Sequence, residues 1–119
     1  MKKSKAVYQP DRGDFAYLDF SPQAGTEQAG RRPALVLSPK EYNIATGLCM
    51  VVPVTNQMKG SAWEVEVPKG AKITGAILSN QIRAVDWIVR NAEFHSECTQ
   101  EVMWEVLGRL EAILSIECS

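Results

Sequence analysis

The sequence predicts a mainly β protein with one C-terminal helix, a small barrel built from short strands. Three observations point there. Short runs that are apolar or that alternate recur along residues 14–88, with glycine, proline and polar residues between them. The period changes near the end of the chain, where Val102, Met103, Val106, Leu107, Leu110, Ile113 and Leu114 recur at three and four residues, as one face of a helix does. The chain is 119 residues long and 45% hydrophobic, which fits one globular domain over 1–119. Strands this short and regularly spaced favour a closed or nearly closed barrel.

Residues 1–10 read as a loosely held leader. Asp14–Phe20 is aromatic and roughly alternating, a first strand. Ser21–Arg32 is a loop with Pro22, Gly25 and Gly30. Pro33–Ser38 is nearly all apolar and predicts a strand buried on both faces. Pro39 and the Asn43–Gly47 region punctuate the chain before a third buried strand, Leu48–Val54. Pro53 within that strand is expected at an end or an edge, because proline has no N–H for the ladder. Trp63–Val67 alternates cleanly, as a half-exposed strand does. Ala76–Ser79 and Ile82–Ile88 complete five or six strands. Thr99 is the expected N-cap of the helix, with Glu101 favourable in its first turn. Gly108 costs about 1 kcal/mol relative to alanine inside a helix, which suggests close packing there.

The composition narrows function. Thirteen Lys and Arg stand against fourteen Asp and Glu, so indiscriminate nucleic-acid binding is not expected. The charge is unevenly spread. Residues 93–119 carry six glutamates and one arginine, leaving residues 1–92 net basic. One reading is an acidic solvated helix on an ordinary surface. The other is that the basic portion meets an anion while the acidic tail faces away. Cys49, Cys98 and Cys118 have no metal-ligand spacing and are odd in number, so neither a disulfide framework nor a zinc site is expected. No apolar signal core follows the basic first residues and no run approaches the roughly 20 residues of a membrane span, so a cytoplasmic protein is expected. His95 is the single histidine, read as a surface residue just ahead of the helix. No nucleophile motif accompanies it.

Three segments hold polar residues that a simple core does not explain. In Gly25–Pro33, Arg32 precedes Pro33, which disfavours a helical backbone at position 32 and extends it. That would aim a guanidinium, suited to a phosphate, from a well-held position. A solvated loop with a Glu27–Arg32 pair is the alternative. In Val52–Gln57, Thr55 would present a hydroxyl at the barrel rim, or satisfy its own backbone. Ser79–Arg83 is either a turn or a base-reading segment, because Asn and Gln pair with base edges and Arg contacts phosphate or guanine. No phosphate loop, dinucleotide fingerprint or metal cluster is present, so neither a cofactor nor a metal is expected.

These residues carry a resemblance. The stretches GDFAYLDFSPQAGTEQAGRRPALVLSPKEYN at 13–43, VVPVTNQMKG at 51–60 and GAILSNQIRAVDW at 75–87 resemble the MazF/PemK toxins of bacterial toxin–antitoxin pairs. The resemblance runs from about Tyr8 to the final helix. It implies an SH3-like barrel of the MazF/CcdB/Kid type, paired as a homodimer and neutralised by a cognate antitoxin. It also implies a metal-independent, sequence-specific endoribonuclease acting on single-stranded RNA. In such enzymes the RNA's own 2′-hydroxyl attacks, leaving a 2′,3′-cyclic phosphate and a 5′-hydroxyl. Arg32 and Thr55 are then the expected catalytic residues, with Glu27 as base or as an orienting partner. Gln28, Arg31, Lys59, Asn80, Gln81 and Arg83 are the expected RNA contacts. Many members carry aspartate where this chain has Asn80, and an asparagine cannot act as a base. Related toxins of this fold poison DNA gyrase without catalysis, which is the alternative function.

Overall fold

The computed structural model describes residues 7–20 and 30–115. Its elements in chain order are β1 (Asp14–Phe20), β2 (Gly30–Val36), α1 (Lys40–Thr46), β3 (Leu48–Thr55), β4 (Glu64–Glu66), β5 (Ala76–Leu78), β6 (Arg83–Asp86), β7 (Glu93–Glu97) and α2 (Gln100–Leu114). All strand pairs are antiparallel, in the order β4-β5-β3-β2-β1-β7, with β6 also paired to β3.

Alternation along the strands sorts the apolar side chains into two layers. Phe15, Leu35, Val52, Val54 and Ile77 face one way and pack under α2 through Val102, Met103, Val106 and Leu110. Ala16, Leu18, Phe20, Ala34, Val36, Cys49 and Val51 face the other way and meet Val85 and Trp87. The Thr99 hydroxyl caps α2 by accepting from the Val102 N–H.

Several expectations need correction. Tyr8 and Pro10 are not loosely held: Pro10 is fully buried, and the Tyr8 hydroxyl donates to the Asp14 carboxylate. Residues 40–46 form a helix where the sequence shows only punctuation. It closes on Gly47 in the left-handed conformation, φ 73°, and is held by the fully buried Asn43. The Asn43 amide donates to the carbonyls of Pro10 and Ser38 and accepts from the Ser38 hydroxyl, while its backbone carbonyl accepts from the Trp87 indole. Glu93–Glu97 is an edge strand, not a prelude to the helix, so two of the C-terminal glutamates belong to the sheet. The partly buried His95 imidazole meets the Tyr17 ring edge-on.

Pro53 lies inside β3, not at an end. Leu48–Val51 pair with β6 and Val54–Thr55 with β5, and Pro53 falls in the gap where β3 changes partner. A missing N–H is tolerated there. Gly108 has no close packing: it is exposed, and nothing lies within 4 Å of where a Cβ would stand. No helix among the described residues is long and apolar enough to cross a membrane.

Candidate RNA-cleaving site

The β2–β3 ladder explains where the site residues fall. Its register sets Val36 opposite Val51 and Ala34 opposite Pro53. Extending each strand outward by two residues leads to Arg32 on β2 and Thr55 on β3. Arg32 stands opposite Leu18 of β1, so it shares the face of Leu18, Ala34 and Val36. Thr55 follows Val54, whose side chain points into the layer under α2, so alternation turns Thr55 to that same face. The two residues therefore share one face at the open end of one ladder. Arg32 belongs to β2 itself, because the strand begins at Gly30 and not at Pro33.

Thr55 is buried, at 9% exposure, and its hydroxyl accepts from the Gln57 N–H at 3.0 Å. A hydroxyl that accepts locally keeps its own hydrogen to donate, so both sequence readings of Thr55 are compatible. Gly75 backs this residue. It holds φ +119°, and a Cβ there would run into the Thr55 carbonyl oxygen.

Arg83 joins this face. It stands opposite Val51, and its guanidinium lies 5.3 Å from the centre of the Phe20 ring. Phe20 also lines a groove of about 560 Å³ with Gly30, Val85, Val89 and Arg90. Asn80 and Gln81 are exposed in the turn before β6, where the Gln81 N–H donates to the Leu78 carbonyl. Lys59 is exposed in the loop after β3. That loop is pinned by the Glu64 carboxylate, which accepts from the N–H groups of Lys59 and Gly60. Glu27 and Gln28 lie outside the described residues.

Arg31 points the other way. Its guanidinium donates to Asp19 at 2.9 Å, to Glu93 at 3.0 Å and to the Asn91 carbonyl at 2.6 Å. The Asn91 amide, followed by Arg31, holds the exposed Asp19 carboxyl below its ordinary value of 3.8. The stabilisation is present above that value and is lost as pH falls through the lower folded one, so this cluster is intact at neutral pH.

A second groove is acidic. Glu64, Glu66, Glu101 and Glu105 line a groove between β4 and α2, against the layer opposite to Arg32 and Thr55. Glu64 and Glu66 come from the net basic portion of the chain and Glu101 and Glu105 from the acidic one, while Glu93 of the acidic portion meets Arg31. Among the described residues, no group of three His, Cys, Asp or Glu is placed to hold a metal ion.

Fold and sequence together define a class. Residues 11–114 match the family model described as PemK-like, MazF-like toxin of type II toxin-antitoxin system, and the chain belongs to that family. Among its relatives, the endoribonuclease toxin MazF of Escherichia coli K12 is 39% identical over 107 residues, covering 90% of this chain and 96% of that protein. The endoribonuclease PemK of Escherichia coli is 35% identical, covering 88% of this chain and 82% of its own. The crystal structure of MazE-MazF (Form-III) from Deinococcus radiodurans has a chain 44% identical to this one. It superposes with a TM-score of 0.84 over 92% of this chain and all of that one.

Proposed function

We propose that this chain is a toxin that cleaves single-stranded RNA at short sequences, without a metal, and is neutralised by a cognate antitoxin. The observation that carries the reading is the shared face of Arg32 and Thr55 at the open end of the β2–β3 ladder. The relatives' names add support: those above are called endoribonucleases, which favours cleavage over the gyrase-binding alternative.

The chemistry asks little of the protein beyond positioning and charge. The 2′-oxygen of the RNA attacks the adjacent phosphorus and gives up its proton, and the bond from phosphorus to the 5′-oxygen breaks. That oxygen takes a proton and leaves as a hydroxyl. No protein nucleophile is needed, which agrees with the lack of a serine–histidine or cysteine–histidine motif. Arg32 stabilises the charge that builds on the phosphoryl oxygens, and Thr55 donates a hydrogen bond to them. A guanidinium keeps its charge and is unsuited to giving up a proton, so Arg32 acts through charge. Glu27 is the candidate base. Gln28, Lys59, Asn80, Gln81 and Arg83 are the proposed RNA contacts, and Asn80 reads a base edge instead of acting as a base.

The functional unit of this reading is a homodimer, its antitoxin is a protein encoded beside it, and it acts in the cytoplasm. The test is cleavage of a long single-stranded RNA by purified protein. Arg32→Ala and Thr55→Ala should each keep the fold and lose cleavage. Unchanged cutting by folded Arg32→Ala would refute the role of that residue.

A further inference from the structure

Arg31 and Arg32 are neighbours on one strand, and a strand sends neighbours to opposite faces. The half of β2 that carries them is weakly supported. Gly30–Pro33 pair with β1, whereas the pairing with β3 begins at Ala34. On the outer face Arg31 ties this half-strand to three places at once: Asp19 on β1, the Asn91 carbonyl and Glu93 on β7. Asp19 is itself held. Its carboxylate accepts from the Asn91 amide, its N–H donates to the Arg90 carbonyl, and its carbonyl accepts from the Arg90 guanidinium. A phosphodiester brought to Arg31 would meet two carboxylates already on its guanidinium.

We propose that Arg31 is a positioning residue that fixes Arg32 through the Asp19–Glu93 clamp, and not an RNA contact. The proposal rests on the nuclease reading above. The clamp restrains the end of β2 that has no β3 partner, and so fixes the backbone from which Arg32 reaches the opposite face. Displacement of a reacting group by about 1 Å costs on the order of 10²-fold in rate.

The test is steady-state cleavage of a fluorogenic single-stranded RNA by wild type, Arg31→Ala, Asp19→Ala and the double variant, with amide hydrogen exchange over residues 30–32. Each single variant should lose about tenfold or more in kcat with KM within about twofold, on the scale of a small misplacement. The double variant should be no worse than Arg31→Ala, and the dependence on salt should be unchanged. Exchange at 30–32 should quicken in both single variants. Arg31→Lys, which keeps an ion pair with Asp19, should retain most of kcat and serves if Arg31→Ala does not fold. A raised KM with kcat kept and a shallower salt dependence would put Arg31 on the RNA and overturn the proposal. So would Asp19→Ala protein that binds RNA more tightly at full kcat. Wild-type protein that cuts no RNA would overturn the nuclease reading instead, and the exchange result would still decide the clamp.

Discussion

The two ends of the β2–β3 ladder differ in what becomes of their polar groups. At the closed end, β2 runs through Ser38 and α1 into β3. There the Ser38 hydroxyl accepts from the Met50 N–H and donates to Asn43, whose amide is spent on Pro10 and Ser38. Ser38, Asn43 and Pro10 are buried and their polar groups here are internally satisfied, as interior polar groups must be. At the open end the ladder stops at Ala34 and Pro53, and a guanidinium and a hydroxyl follow on one face. Thr55 is equally well placed, yet its hydroxyl still has a hydrogen to give. Polar residues close the sheet at one end and are presented by it at the other.

The contrast can be broken from either end. The largest effect is expected at the open end. Arg32→Ala and Thr55→Ala should each lower kcat by about 10²- to 10³-fold, as loss of a preorganised donor does, with the fold kept. Asn43→Ala should do the reverse. It strands the Ser38 hydroxyl and two buried carbonyls, and denaturant unfolding should show a loss of about 2–4 kcal/mol. The Trp87 bond survives because it uses the Asn43 backbone. Cleavage per folded molecule should be kept, and its loss would erase the distinction between the two ends.

Gly75→Ala is expected to fall between these. The added Cβ meets the Thr55 backbone at a positive φ, so about 1–3 kcal/mol of stability and part of kcat should go together. The smallest effect concerns Cys49 in the layer beneath the site face. Burial pushes its thiol from 9.0 up to about 12. The fold favours the protonated thiol, so its contribution is full below about pH 9 and is lost as pH rises toward 12. Native protein at pH 8 should resist alkylation at Cys49, and rapid labelling would show that the layer opens.

Much of this arrangement was legible in the residues. Asp14–Phe20 alternates and is a strand over those same residues, because aromatic and apolar side chains fill both layers. The heptad-like spacing after Thr99 yields α2 for the same reason of burial. What stayed hidden depends on partners distant in sequence. Glu93–Glu97 has little apolar alternation and becomes a strand because β1 and Arg31 receive it. Lys40–Thr46 lacks the length for a helical pattern, and its anchor is one buried asparagine. Pro53 breaks an edge rule because β3 changes partner around it. Arg31 and Arg32 are adjacent in sequence, and the register with Asp19 and Leu18 turns them to opposite faces.

The most direct measurement is the chemistry of the ends left when the purified wild-type protein cuts a defined single-stranded RNA in excess chelator. Self-attack by the 2′-hydroxyl at a phosphate held by Arg32 and Thr55 predicts 2′,3′-cyclic phosphate and 5′-hydroxyl ends, absent with Arg32→Ala. Ends bearing 5′-phosphate and 3′-hydroxyl, or cutting that stops when metal is removed, would contradict it.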